Sequence, residues 1–126
     1  MEKKGKVLVI DDDQMTRNMI KTYLGIMGFE VETAEDGLDG YNKLKAGSGY
    51  KLIFSDFEMP NMNGLQFLEK VKKENIHQNT PVVMLTSVDK QDIIDKAKGL
   101  GATAYMTKPF TNQKMHDVLT ALKFNV

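Results

Sequence analysis

Short apolar runs alternate along this chain with stretches whose apolar residues recur every three or four positions. The runs are Lys6–Asp11, Glu30–Ala34, Lys51–Asp56, Pro81–Thr86 and Thr103–Met106, most of them rich in β-branched or aromatic residues. Several are apolar on both faces, as strands buried in a parallel sheet are. From Thr16 a helical stripe runs through Met19, Ile20, Tyr23, Leu24 and Met27, and Gly28 stops it. Leu38, Tyr41 and Leu44 mark a second helix ending at Gly47-Ser48-Gly49, and Leu65, Leu68 and Val71 a third. Ile93 or Ile94, with Ala97 and Leu100, mark a fourth; Met115, Leu119 and Leu122 mark a fifth. Five strand–helix alternations predict a single α/β domain over residues 1–126, a (βα)5 chain around a five-stranded parallel sheet.

In such a sheet ligands sit beyond the carboxyl ends of the strands, where the strand order switches. Those ends carry Asp11-Asp12-Asp13, Ser55-Asp56-Phe57-Glu58, Thr86-Ser87 and, just past the last strand, Lys108-Pro109. Acids from two strand ends, a hydroxyl from a third and a lysine from a fourth are thus expected in one pocket. Three carboxylates about 4 Å apart repel pairwise by roughly 4 kcal/mol at an effective dielectric near 20. A single lysine offsets part of that. Such a cluster either raises a carboxyl pKa or holds a cation. Oxygen-only ligands completed by water suit Mg2+. A carboxylate beside that ion can attack phosphorus to give an aspartyl phosphate, with a hydroxyl and an ammonium holding the other phosphoryl oxygens.

Composition narrows the partner. Lys plus Arg and Asp plus Glu balance at 17 each, so the basic excess of a nucleic-acid binder is missing and a protein partner is expected. No apolar run reaches the ~18 residues that span a bilayer. Behind the basic start, Val7–Ile10 is too short for a signal peptide. The chain has no Cys, which excludes disulfide and thiolate chemistry. The expectation is a cytoplasmic monomer with no membrane association. The chain stops soon after the fifth helical pattern, so no DNA-binding output domain is expected on it.

Val9-Ile10-Asp11-Asp12, Ser55-Asp56 with Met59-Pro60 and Asn63-Gly64, Leu85-Thr86-Ser87 and Tyr105-Met106-Thr107-Lys108-Pro109-Phe110 together resemble the receiver domains of response regulators. The stand-alone chemotaxis type is the most similar. The resemblance covers essentially the whole chain with the motifs in order. It implies the flavodoxin-like three-layer fold, with strand order 2-1-3-4-5, and a phosphoacceptor at Asp56. It implies Mg2+ held by Asp12 and Asp56, by Asp11 through water and by the backbone carbonyl of Glu58. Lys108 and Thr86 would contact the phosphoryl group, beside backbone N–H groups of Phe57 and Ser87, and the Lys108-Pro109 bond would be cis. Tyr105 would swing inward as Thr86 moves. The output surface would lie on the fourth helix, last strand and fifth helix, with Gln91, Ile94 and Tyr105 as candidates and Lys90 and Val118 on its margin. The implied partners are a sensor histidine kinase as phosphodonor and a downstream protein target. The chain would catalyse only its own phosphorylation and dephosphorylation.

Three features depart from the common pattern. The acidic run is a triplet, in which Asp13 is expected to begin the turn into the first helix. Glu58 follows the acceptor by two residues and could reach the metal or the hydrolytic water. Val88 is apolar where a polar guide for that water could stand. His77 and His116 read as solvated, and the nine Met as core filler and an adaptable surface. A phosphohydrolase with its nucleophile in a first-strand Asp-x-Asp does not fit, because no segment is long enough for a substrate cap. A flavin or nucleotide binder needs a Gly- or hydroxyl-rich loop after the first strand, where this chain has acids. A calcium loop starting at Asp11 would need Glu at position 22, which is Thr. Within the receiver reading, a diffusible messenger is favoured over a phosphorelay intermediate that hands its phosphoryl group to a histidine protein.

Overall fold

A computed structural model describes residues 5–76, 79–87 and 91–124. Strands β1 (Lys6–Ile10), β2 (Glu30–Ala34), β3 (Tyr50–Asp56), β4 (Val82–Thr86) and β5 (Ala104–Thr107) alternate with five helices. These are α1 (Gln14–Ile26), α2 (Gly37–Ala46), α3 (Gly64–Lys73), α4 (Gln91–Gly99) and α5 (Asn112–Ala121). All strands are parallel, in the order β2-β1-β3-β4-β5, which is the flavodoxin-like arrangement. Among the described residues no helix is long and apolar enough to cross a membrane.

The central strands are apolar on both faces because each face has its own core. Val7 and Val9 of β1, Leu52 and Phe54 of β3, and Val83 and Leu85 of β4 pack on one side with Ile20 and Leu24 of α1 and Met115, Val118 and Leu119 of α5. Leu8 and Ile10, Ile53, and Val82 and Met84 pack on the other with Tyr41 and Leu44 of α2, Phe67, Leu68 and Val71 of α3, and Ala97 of α4. Where β3 meets β1, the register shifts between Lys6 and Val7, so Lys51 is skipped and Tyr50 joins the core half that holds Ile53.

Most expected stripes face these cores, with local differences. Met19 and Leu38 are largely exposed, whereas Phe67, which lies outside the Leu65–Leu68–Val71 series, is fully buried. Steps of three precess round a 3.6-residue helix, so Gly64, Phe67, Leu68 and Val71 line the true inner face. Pro81 stands just outside β4, although its carbonyl still accepts the Ile53 N–H at 3.0 Å.

Candidate functional site

The order β2-β1-β3 makes the chain reverse direction of growth at β1, which leaves a crevice beyond the ends of β1 and β3. Asp11 follows β1 directly. It is fully buried, its N–H donates to the Ala34 carbonyl at 3.1 Å, and its own carbonyl accepts from Arg17 Nη1 at 2.6 Å. Asp12 is exposed at the crevice mouth. Asp13 is the N-cap of α1, with the Thr16 hydroxyl donating to its Oδ2 at 2.6 Å and the Thr16 N–H at 3.3 Å. The hydroxyl of Thr16 is the main reason that the Asp13 carboxyl sits below its usual pKa. The triplet thus divides between a buried acid, a mouth acid and a helix cap.

Asp56 closes β3 and is only 5% exposed. One carboxylate oxygen each from Asp11, Asp12 and Asp56 lies within 4.8 Å of the others. Lys108 enters from beyond β5, with Nζ 2.8 Å from Asp11 Oδ2 and 3.3 Å from Asp56 Oδ1. Burial, then the charge of Asp11, pushes the Asp56 carboxyl from 3.8 up to about 7, against the restraining charge and hydrogen bond of Lys108. Burial pulls the Lys108 ammonium down, but its bonds to Asp11 and the charge of Asp56 outweigh that and leave it raised. One lysine between two buried carboxylates does not offset both the burial of Asp56 and the charge of Asp11. A small hard cation would suit the same oxygens.

The open cleft here is lined by Asp12, Asp56, Glu58, Met59, Ser87 and Lys108. Thr86 is buried at the end of β4, next to Ser87, and its carbonyl accepts the Lys108 N–H at 2.7 Å. The Lys108-Pro109 peptide bond is cis. The Phe57 N–H continues the sheet by donating to the Leu85 carbonyl at 2.7 Å.

The expected output surface is only partly a surface. Gln91 is exposed, and Tyr105 is 38% exposed on the outer side of β5, with Lys98 Nζ 5.9 Å from its ring centroid. Ile94 and Val118 are buried instead, at 4% and 8% exposure. Both follow from packing: Ile94 lines a small cavity with Met84, Thr86 and Tyr105, and Val118 belongs to the core beside Leu119. Lys90, Val88 and His77 lie outside the described residues. His116 is half-buried on α5, away from the cleft.

Arg17 was not signalled by the sequence. It reads as one more polar residue on α1, and only the fold brings it to the Asp11 carbonyl.

Residues 7–120 match the response regulator receiver domain. Chemotaxis protein CheY1 of Helicobacter pylori (strain J99) is 36% identical over 115 residues, covering 90% of this chain and 93% of that protein. Protein PilG of Pseudomonas aeruginosa is 39% identical over 123 residues, covering 96% and 87% respectively. The solved structure of Vibrio cholerae chemotaxis protein CheY4 superposes with a TM-score of 0.86 at 32% identity, covering 96% of this chain and 98% of that one.

Proposed function

Because this chain belongs to the response regulator receiver family, we propose that it is a chemotaxis-type phosphorylation switch that accepts a phosphoryl group on Asp56. The observation that carries this reading is the gathering of Asp11, Asp12 and Asp56 around one point, with Lys108 facing them. Three converging carboxylates, an all-oxygen set, fit Mg2+. Asp12 and Asp56 would hold the ion directly, Asp11 through water, and Glu58 would add its backbone carbonyl. When bound, Mg2+ supplies positive charge that favours ionised Asp56 and offsets charge on an incoming phosphoryl group.

The chain's own residues do the rest. An Asp56 carboxylate oxygen forms the new bond to phosphorus while the phosphorus–nitrogen bond to a kinase phosphohistidine breaks. Lys108 supplies an ammonium to the phosphoryl oxygens, and the Thr86 hydroxyl turns toward them. The cavity bounded by Thr86, Ile94 and Tyr105 lets that movement reach the Tyr105 ring and hence the outer face of α4, β5 and α5. A sensor histidine kinase is the phosphodonor, and a protein target reads the changed face. The chain turns over no separate substrate; it catalyses its own phosphorylation and hydrolysis.

A small phosphodonor such as acetyl phosphate, with Mg2+, is expected to add one phosphoryl group that hydroxylamine releases. Asp56→Asn is expected to abolish the label. Equal labelling of that variant would put the acceptor elsewhere.

A further inference from the structure

The loop between β3 and α3 carries Glu58 and Met59 into the cleft, and its two ends are fixed by the sheet and the helix. Phe57 donates to the Leu85 carbonyl at 2.7 Å, and Gly64 donates back to the Phe57 carbonyl at 2.8 Å. Asn63 caps α3 through a reciprocal pair with Gln66, at 2.9 Å in each direction. The middle of the loop, residues 58–62, is held differently. Asn61 adopts a left-handed backbone, φ 67, and its Nδ2 donates to Asp36 Oδ2 at 2.8 Å, across 25 residues of sequence. A non-glycine residue in that conformation needs a reason, and Asn is among the few that enter it cheaply.

Asp36 is the N-cap of α2, and its two carboxylate oxygens have separate tasks. Oδ1 accepts the Asp39 N–H at 2.8 Å and caps the helix, while Oδ2 receives Asn61. The next residue, Gly37, lies so close to the loop that a Cβ there would stand 2.5 Å from the Met62 carbonyl oxygen and 3.0 Å from the Met62 side chain. Met59 and Met62 pack against the same core half as α2. The start of α2 is thus the surface on which the middle of the loop rests.

We infer that the Asp36–Asn61 pair is a positioning device that seats residues 58–62 at the cleft and thereby sets the affinity of the site for its divalent cation. This rests on the reading of Asp11, Asp12 and Asp56 as a Mg2+ site. Neither Asp36 nor Asn61 lines the cleft, so their effect passes through the Glu58 segment. Partners that orient a metal's ligands typically contribute tenfold or more in affinity.

The test is calorimetric titration of the full chain with Mg2+. Asn61→Gly keeps the left-handed backbone accessible but removes the donor, and is expected to weaken binding about tenfold with the melting temperature of the metal-free protein nearly unchanged. Asn61→Asp places a second carboxylate against Asp36 and is expected to weaken binding further. Asn61→Asp combined with Asp36→Asn exchanges the donor and acceptor, keeps a good N-cap, and is expected to restore affinity to within about twofold of the parent. A role confined to capping α2 predicts no such rescue. If the parent binds Mg2+, Asp56→Asn weakens that binding, and Asn61→Gly binds like the parent, the positioning role is overturned and the Mg2+ site stands. If the parent does not bind Mg2+ at millimolar concentration, the site reading fails and the positioning role falls with it.

Discussion

Asp56 is where burial and charge meet most sharply in one residue. Its carboxyl rises from 3.8 to about 7, so between those values the folded protein holds a proton that the unfolded chain has released. Stability of the metal-free protein therefore falls as pH rises through this window. The contribution is fully present below about 4 and gone above about 7. Each pKa unit is about 1.4 kcal/mol, so the full change is on the order of 4 kcal/mol. Denaturant unfolding in EDTA at pH 4 and pH 8 checks it, against Asp56→Asn, in which this loss is expected to disappear. Because the Lys108 ammonium holds Asp56 down, Lys108→Ala is expected to move the fall to higher pH. An unchanged midpoint in that variant would mean that the ammonium is not coupled to the acid. The identities of Asp11, Asp12, Asp56 and Lys108 were legible because charged residues at strand ends are conspicuous. The place of Asp13 at the turn into α1 was legible as well. That Asp11 is sealed in while Asp12 is exposed was not, because it depends on backbone direction after Ile10.

At the scale of elements, period and punctuation located every strand and helix, because buried parallel strands and amphipathic helices have different apolar spacing. Which residues of a helix touch the sheet was harder to read. Leu38 satisfies the spacing of α2 yet is exposed, while Gly37 and Gly40 are buried. At Gly40 the helix lies so close to the sheet that a side chain has no room. A Cβ at Gly40 would fall 2.4 Å from Ile10 Cδ1 and 2.9 Å from Cγ1. Gly40→Ala is therefore expected to destabilise the protein by about 1–3 kcal/mol, since overpacking exceeds the gain in helix propensity. Gly25→Ala is the contrast. Gly25 is exposed on α1 with nothing within 4 Å of a new Cβ, so up to about 1 kcal/mol of stabilisation is expected. Chemical denaturation of the two variants checks both signs. The output surface was misjudged at this same scale: Ile94 and Val118 lie on the apolar stripes of α4 and α5, and those stripes bury them.

Across the whole molecule, the cluster exists only because the sheet is wound in one order. Asp11 and Asp12 reach it from the end of β1, Asp56 from the end of β3 and Lys108 from beyond β5. Unfolding disperses them, so a cation that needs all three acids binds the folded chain and hardly the unfolded one. Binding then adds to folding stability by mass action. At a hundred times its dissociation constant, Mg2+ is expected to contribute about 2.7 kcal/mol, on the order of 10 °C in melting temperature for a domain of this size. An equal ionic strength of NaCl should give little of that rise, since general screening acts weakly on a buried cluster. Asp12→Asn separates the two roles of the charge. Without Mg2+ the variant is expected to melt at or above the parent, because one repelling carboxylate has gone. With Mg2+ it is expected to fall below the parent, because a ligand has gone as well. Opposite signs in the two conditions are what a cation site predicts. A variant that melts below the parent in both would show that Asp12 serves the fold instead.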